Sequence, residues 1–469
     1  MKKGEIYEST VETVSFPNKG IIHIDGEKVI VKNTSPGQKV RFMINKKRNG
    51  RCEGRMMEVI EKSPCETAPL RCSLYPECGG CTYQSMDYGA QLKMKLEQVK
   101  ALLRESIAEC SYEIPEDDGM IISGSLKAVD NSEIEPSPEI TGYRNKMEFT
   151  FGDDRKGGPL TLGLHRRNSM YDILNVTDCA LVHDDINIIV KAVREFFDGK
   201  FPYYHKVSHE GYLRDLLIRR SASTGEILAA VVTTSKGSAD FEALAQILLE
   251  LKLEGSIAGI LHMMNDSVAD VVRSEKTEII YGKDWFYEEV CGLSFKITPF
   301  SFFQTNTKGA EVLYGYAKKM IGDISGASVF DLYSGTGTIA QIISPAAKKV
   351  IAVEIVEEAV EAAKENAALN SITNCEFLCG DVLKVIDEIE ERPDFLILDP
   401  PRSGIHPKAI GKLIDYNAQR IVYISCKASS LANDLKSFLK AGYVVKEMKC
   451  VDMFPHTANI ETVCLLTHS

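Results

Sequence analysis

Residue types that can do chemistry gather in the last third of this chain, at the ends of apolar runs. RIVYISCKASSLAN (420–433) delivers Cys426 where the pattern stops looking like strand. A single cysteine can pack, ligate a metal or attack an electrophile, and the stretch by itself leaves all three open. Attack needs the thiolate, whose free pKa is near ~8.5. Lys427 and the start of the following helix are expected to lower it. DFLILDPPRSG (394–404) ends a second run at Asp399, and Pro400 and Pro401 stiffen the turn that aims the carboxylate. DLYSGTGTIA (331–340) turns on Gly335 and Gly337, KKVIAVE ends at Glu354, and LCGDV ends at Asp381. A glycine turn lets a ligand approach backbone, and an acid about 20 residues later can accept ribose hydroxyls. The turn lacks the third glycine of a dinucleotide fingerprint and the lysine of a P-loop. A nucleoside cofactor without pyrophosphate fits, S-adenosylmethionine first and NAD second. FPHTANIETVCLL (454–466) puts Glu461 at the start of the last strand, where a carboxylate could remove a proton.

These residues need a frame. Near-continuous apolar runs spaced by amphipathic helices over 291–469 predict a doubly wound, mostly parallel sheet, whose ligands sit beyond the carboxyl ends of its strands. Five short strands separated by turn signals in 1–62 predict an OB-like β-barrel. Its basic cluster, Lys46, Lys47, Arg48, Arg51 and Arg55, could neutralise phosphates. QLKMKLEQVKALLRESI predicts a helix within 86–110, with Leu92, Leu96, Val99, Leu103 and Ile107 on the face that packs on the catalytic domain. Residues 110–140 are acidic, carry Pro and Ser, and read as a linker. Strands and helices alternate through 141–290, so 63–85 and 130–290 form a central α+β domain. The fold class is α/β.

Composition narrows the function classes. A chain of 469 residues with 44% hydrophobic and 26% charged residues is globular rather than disordered. It has no apolar run of membrane-spanning length and no signal-peptide pattern, which predicts a cytoplasmic protein without a membrane partner. In that reducing compartment 13 cysteines point to metal or catalysis rather than disulfides. Net charge is −11, yet residues 1–62 hold 13 Lys and Arg against 8 Asp and Glu, a basic head on an acidic body.

Taken in order, SFFQTN (301–306), DLYSGTGT, the VE ending at Glu354, DPPRSG, SCKASSLANDL and FPHTANIET resemble the RNA uracil-C5 methyltransferases over nearly the whole chain. The resemblance implies a class I methyltransferase domain over 291–469, a TRAM-type N-terminal barrel and an iron–sulfur insertion. It implies that Gln304, Tyr333, Glu354, Asp381 and Asp399 contact S-adenosylmethionine. It implies Cys426 as the nucleophile at uracil C6 and Glu461 as the base at C5. Many relatives have SCNP where this chain has SCKA, and a histidine where it has Asn459. Both departures leave the residues with direct roles in place.

Cys72, Cys78 and Cys81 stand in CSLYPECGGC, and Cys179 is the fourth candidate ligand. Four thiolates suit a 4Fe-4S cluster or zinc, which spacing does not separate; the resemblance favours the cluster. With that insertion, which tRNA-specific members of the family generally lack, the resemblance implies 23S rRNA rather than tRNA as the RNA partner. Two other readings stand beside this one: an RNA-binding module with an idle methyltransferase site, and methylation of an exocyclic nitrogen. His165, Arg166, Arg167, Arg214, Arg219 and Arg220 could face RNA.

Overall fold

The structure is a computed structural model that describes residues 1–48, 50–111, 114, 119–269 and 272–468. The C-terminal body is an eight-stranded sheet. Its order is Cys375–Cys379, Lys349–Glu354, Ser328–Leu332, Phe395–Leu398, Arg420–Ser425, Glu461–His468, Tyr443–Val451 and Glu133–Glu135. The first five strands pair in parallel, while Glu461–His468 runs antiparallel to both of its neighbours. The central strands Ser328–Leu332 and Phe395–Leu398 are buried along their whole length, because helices cover both faces. Alternation divides their side chains between two cores. Phe330 and Leu396 join Val99, Leu103 and Phe438 on one face; Val329 and Ile397 join Leu313, Ala317 and Ile339 on the other. The chain leaves Ser328–Leu332 in one direction toward Lys349–Glu354 and in the other toward Phe395–Leu398. The point of reversal opens a crevice at the carboxyl ends.

The helix Tyr88–Cys110 buries Val99, Leu103, Ile107 and Cys110 against this body, with Leu92 and Leu96 half-buried. The linker expected over 110–140 is instead structured on both sides of its undescribed residues, 112, 113 and 115–118. Gly119–Asp130 is a helix with Ile121 and Val129 in the core, and Glu133–Glu135 pairs in parallel with Tyr443–Val451. The acidic and Pro/Ser content masked an apolar stripe (Ile121, Ile122, Leu126, Val129) that has a sheet edge to cover. The expected central-domain boundary at 130 therefore moves past this strand.

A second sheet of seven strands spans Lys146–Gly152 to Lys276–Gly282, backed by helices Asp184–Phe197 and Phe241–Leu249 over one aromatic-rich core. The N-terminal sheet has six strands rather than five, since Ile6–Thr10 also pairs, and it closes over its own core of Ile22, Val29, Val31, Val40, Phe42 and Ile44. Lys46, Lys47 and Arg48 end one strand of its long hairpin, and Arg51 and Arg55 begin the next. Arg48, Arg51 and Arg55 are exposed, while Lys46 and Lys47 pair with Glu53 and Glu27. Among the described residues no helix is long and apolar enough to cross a membrane.

One buried ion pair joins the helix 88–110 to the approach to the last strand. Lys95 Nζ lies 2.7 Å from Asp452 Oδ1, with both side chains almost wholly inaccessible to solvent. Removing one partner of such a pair strands the other charge, at a cost of about 3–5 kcal/mol. Lys95→Met is expected to lower the melting temperature of the purified protein steeply. Lys95→Met combined with Asp452→Leu should recover part of the loss, and a calorimetric melt reads both.

Candidate active site

The crevice is a cavity of about 1330 Å³. Gln304, Tyr333, Glu354, Asp381, Asp399, Cys426 and Glu461 all line it. All but Gln304, which lies in the segment before the helix at 307, follow or end strands that the sheet order sets side by side, each at a carboxyl end except Glu461, whose antiparallel strand offers its first residue at the same edge.

At the glycine turn, Gly335 and Gly337 have φ of 55° and 67°, and Tyr333, a non-glycine, has φ of 69°. A Cβ on Gly337 would stand 2.5 Å from the Phe377 ring. The strained turn is fixed by main-chain bonds from Tyr333 N and Ser334 N to Val353 O, both 3.0 Å. Glu354 braces it: one carboxylate oxygen accepts from Gly335 N at 2.9 Å, the other from Ile355 N and Val356 N at 2.9 and 3.0 Å. A carboxylate has about four acceptor positions, so one remains for a ligand hydroxyl. Asp381 caps the short helix Val382–Val385 through Leu383 N. Tyr314, a buried phenol on the helix Thr307–Ile321, also lines the cavity and meets the Gln304 side chain. No motif marks Tyr314; only its inward position on the 3.6-residue period does.

At the other end stand the reacting groups. Burial pushes the Asp399 carboxyl up to about 7. Burial, then the charge of Asp399, pushes Glu461 up to about 8, with Arg402 opposing. The Cys426 thiol is pushed up to about 11, by burial first and then by Glu461 and Asp399, and Arg402 pulls it down. This corrects the expectation that Lys427 and the helix start activate the thiol. Lys427 is exposed, and the cation that acts on Cys426 is Arg402 of DPPRSG. The helix Ala428–Lys440 contributes by docking the Arg402 turn. Ser430 Oγ donates to Arg402 O at 2.7 Å, and Asp434 accepts from Ile405 N at 2.8 Å and from the Tyr423 hydroxyl at 2.6 Å.

The region is rich in acid. Asp331, buried under the turn and also raised to about 7, adds a third carboxyl that senses Asp399. All three carboxyls are raised by burial first, and Asp331 and Glu461 also by the charge of Asp399, a balance that one more positive charge would relieve. The cavity therefore fits a cationic ligand, and the sulfonium of S-adenosylmethionine is one.

The loop that presents Glu461 is held from four directions. Lys95 Nζ donates to Phe454 O, and the Tyr143 hydroxyl donates to Pro455 O. Thr82 N and Tyr83 N both donate to His456 O, at 2.7 and 2.9 Å, and Asn306 Nδ2 donates to Met453 O at 2.7 Å. Thr82 follows Cys81, so the cysteine loop and the Glu461 loop are in direct contact.

The four cysteines share one neighbourhood. Cys81 is raised to about 12 by burial and then by Cys179, Cys78 and Cys72, and Cys179 to about 11 by burial with Cys72 and Cys78 among the causes. Gly80 N and Gln84 Nε2 point at the sulfurs of Cys78 and Cys81. Cys65 stands apart, bonded to Ser63. Among the described residues no three His, Cys, Asp or Glu side chains are arranged to hold a single metal ion.

The arginines expected to face RNA mostly do structural work. Arg167 clamps the cysteine loop at the carbonyls of Pro76, Cys78 and Cys81. Arg166 pairs with Glu77, and Arg220 with Asp185. Arg214 and Arg219 are buried, each bonded to main-chain carbonyls. Alternation in a strand cannot tell a buried polar position from a solvated one when both sheet faces are covered.

A profile described as tRNA (Uracil-5-)-methyltransferase matches residues 256–381, and a methyltransferase domain profile matches 323–454. The chain is 45% identical to an uncharacterized RNA methyltransferase of Clostridium acetobutylicum, over 99% of this chain and 98% of that one. It is 43% identical to another from Clostridium tetani, with the same coverage. It also superposes on the tRNA (uracil-54, C5)-methyltransferase of Pyrococcus abyssi, solved with S-adenosyl-L-homocysteine. That match has a TM-score of 0.74 and 24% identity, over 98% of this chain and 100% of that one.

The charge pattern around Cys426 has a direct readout, the pH profile of its alkylation in the ligand-free protein followed by peptide mass. Arg402→Ala should move the midpoint to higher pH and Glu461→Gln to lower pH, because the first removes a stabiliser of the thiolate and the second a repeller. Lys427→Ala should leave it within about a tenth of a unit, since the side chain is exposed and screened.

Proposed function

Since the chain belongs to the RNA uracil-5-methyltransferase family, we propose that it methylates C5 of a uridine in 23S rRNA through a covalent bond between Cys426 and uracil C6. The observation that carries this reading is the meeting of Cys426, Glu461 and Asp399 in one cavity with the nucleoside-binding turn.

Uracil C5 is a weak nucleophile, and the residues present remedy that. The Cys426 thiol passes its proton to solvent, the Arg402 guanidinium steadies the thiolate, and the sulfur forms a bond to C6. The C5–C6 π electrons move toward O4, so that C5 carries the enolate's density. Bound S-adenosylmethionine supplies the methyl group as an electrophile. Glu461 then takes the C5 proton, the electrons of that C–H bond restore C5=C6, and the C6–S bond breaks. A base with a pKa of about 8 is matched to this task near neutral pH. Asp399, near 7, carries a proton part of the time and can donate to a carbonyl of the base or face the donor's positive charge.

We read the N-terminal sheet as an OB-like barrel of the TRAM type, its exposed Arg48, Arg51 and Arg55 holding RNA phosphates. Cys72, Cys78, Cys81 and Cys179 would hold a 4Fe-4S cluster. In a tetrahedral zinc site, Zn–S bonds of about 2.3 Å bring sulfurs within about 3.8 Å of one another. Zinc is the alternative group for the same four thiols, which share one neighbourhood. The group would brace the loop that contacts the Glu461 segment. A tRNA target is the second reading, favoured by the whole-chain likeness to the Pyrococcus abyssi enzyme.

The test is to incubate the protein and S-adenosylmethionine with 5-fluorouridine-containing transcripts of 23S rRNA and of tRNA, then run a denaturing gel. Fluorine cannot leave C5 as a proton, so a stable adduct should appear with the rRNA and vanish in Cys426→Ala. An adduct with tRNA alone moves the target to tRNA. Methylation of uridine RNA without adduct on either transcript overturns the covalent route.

A further inference from the structure

The segment Thr298–Asn306 forms one wall of the cavity and has no regular secondary structure. Its carbonyls therefore need partners from elsewhere. Within the segment itself, Ser301 Oγ accepts from Thr298 N at 3.0 Å. The remaining ties come largely from the central domain. Arg219, on the strand Leu213–Arg220, donates from Nε to Pro299 O at 3.0 Å and from Nη2 to Ser301 O. Asn145 donates from Nδ2 to Gln304 O at 2.9 Å, and its own N–H donates to Thr305 O at 2.9 Å. The bonded carbonyls bracket Phe300, Phe302 and Gln304, which face the cavity, and Phe302 lies against Gly335 of the turn.

Arg219 is the unusual member of this set. Its side chain is 3% exposed, and both of its hydrogen bonds go to main-chain oxygens rather than to a carboxylate. Burial pulls its pKa down to about 10. Glu148 opposes this through space, but Arg219 bonds no carboxylate directly; so buried a cation is costly, and methionine or leucine would fill the space at less expense. What only arginine supplies is a rigid fork that spans two carbonyls.

We propose that Arg219 is a positioning residue for the methyl-donor pocket: by holding Pro299 and Ser301 from the central domain, it sets the wall that carries Phe300, Phe302 and Gln304. The proposal rests on the reading of this cavity as the S-adenosylmethionine site. It makes the central domain part of the donor pocket, so the two cannot be separated without loss of donor affinity. Nothing in the reacting end, at Cys426 and Glu461, is touched by Arg219.

The experiment uses the full-length protein and S-adenosyl-L-homocysteine as the probe, with calorimetric Kd measured for the unaltered chain, Arg219→Met and Arg219→Lys. Steady-state rates are then taken with varied S-adenosylmethionine. Arg219→Met is expected to raise Kd and the donor KM about tenfold or more, with kcat at saturating donor within about threefold. Arg219→Lys keeps a charge that reaches one carbonyl, and should fall between. If Arg219→Met does not fold, the lysine variant decides. Donor affinity within about twofold of the unaltered chain in a folded variant overturns the proposal, as does a fall in kcat with KM unchanged. If the unaltered chain itself does not bind S-adenosyl-L-homocysteine, the reading of the cavity fails first, and the two failures are distinguishable.

Discussion

The buried contact between Lys95 and Asp452 is the constraint on which the reacting end of the molecule depends. Residues 452–457 follow the strand Tyr443–Val451, set Phe454 on the wall of the cavity and lead to the strand that begins with Glu461. Such a loop has a row of main-chain groups that need partners. They find them in the helix 88–110, the cysteine loop, the strand-leading Tyr143 and the cap of the helix Thr307–Ile321. Each partner comes from a segment distant in sequence. Lys95 binds both the Asp452 carboxylate and Phe454 O, and so fixes the loop at its departure point. Glu461 is thus placed by regions that look accessory in the sequence.

The same economy of charge governs the chemistry. A sheet edge that gathers Asp331, Asp399 and Glu461 with one nearby guanidinium is unfavourable in the empty protein, and the raised pKa values record that. Functional sites commonly accept such strain. Here it has a direction: carboxyls that burial holds near neutrality favour a cationic ligand, while the Cys426 proton is held by burial first and by Glu461 and Asp399 second.

Much of the site could be read from residues because it lies at strand ends. Apolar runs of four to six residues mark strands, and whatever polar residue follows them sits at the ligand edge of a parallel sheet. Asp399, Cys426 and the glycine turn were legible on that ground. Lys427 was misread as the activator because adjacency in sequence is not adjacency in space: it points outward, while Arg402 arrives from another loop. Arg214 and Arg219 look like surface cations until both faces of their sheet are seen to be covered. The helix 119–130 and strand 133–135 hid behind an acidic, Pro/Ser-bearing composition, and their pairing with 443–451 is a contact across three hundred residues that no local pattern reveals. Tyr314 carries no motif, and its inward place on the helix Thr307–Ile321 looks the same as that of any core residue.

The central claim is that Cys426 carries the uracil while Glu461 waits for its proton. The most direct measurement uses Glu461→Gln with S-adenosylmethionine and ordinary uridine RNA, followed by nuclease digestion and mass analysis of the peptide bearing Cys426. The account predicts a methylated nucleotide attached to that peptide, because the C5 proton cannot leave and the C6–S bond cannot break. Free 5-methyluridine formed at an undiminished rate, with the Cys426 peptide unmodified, would contradict it.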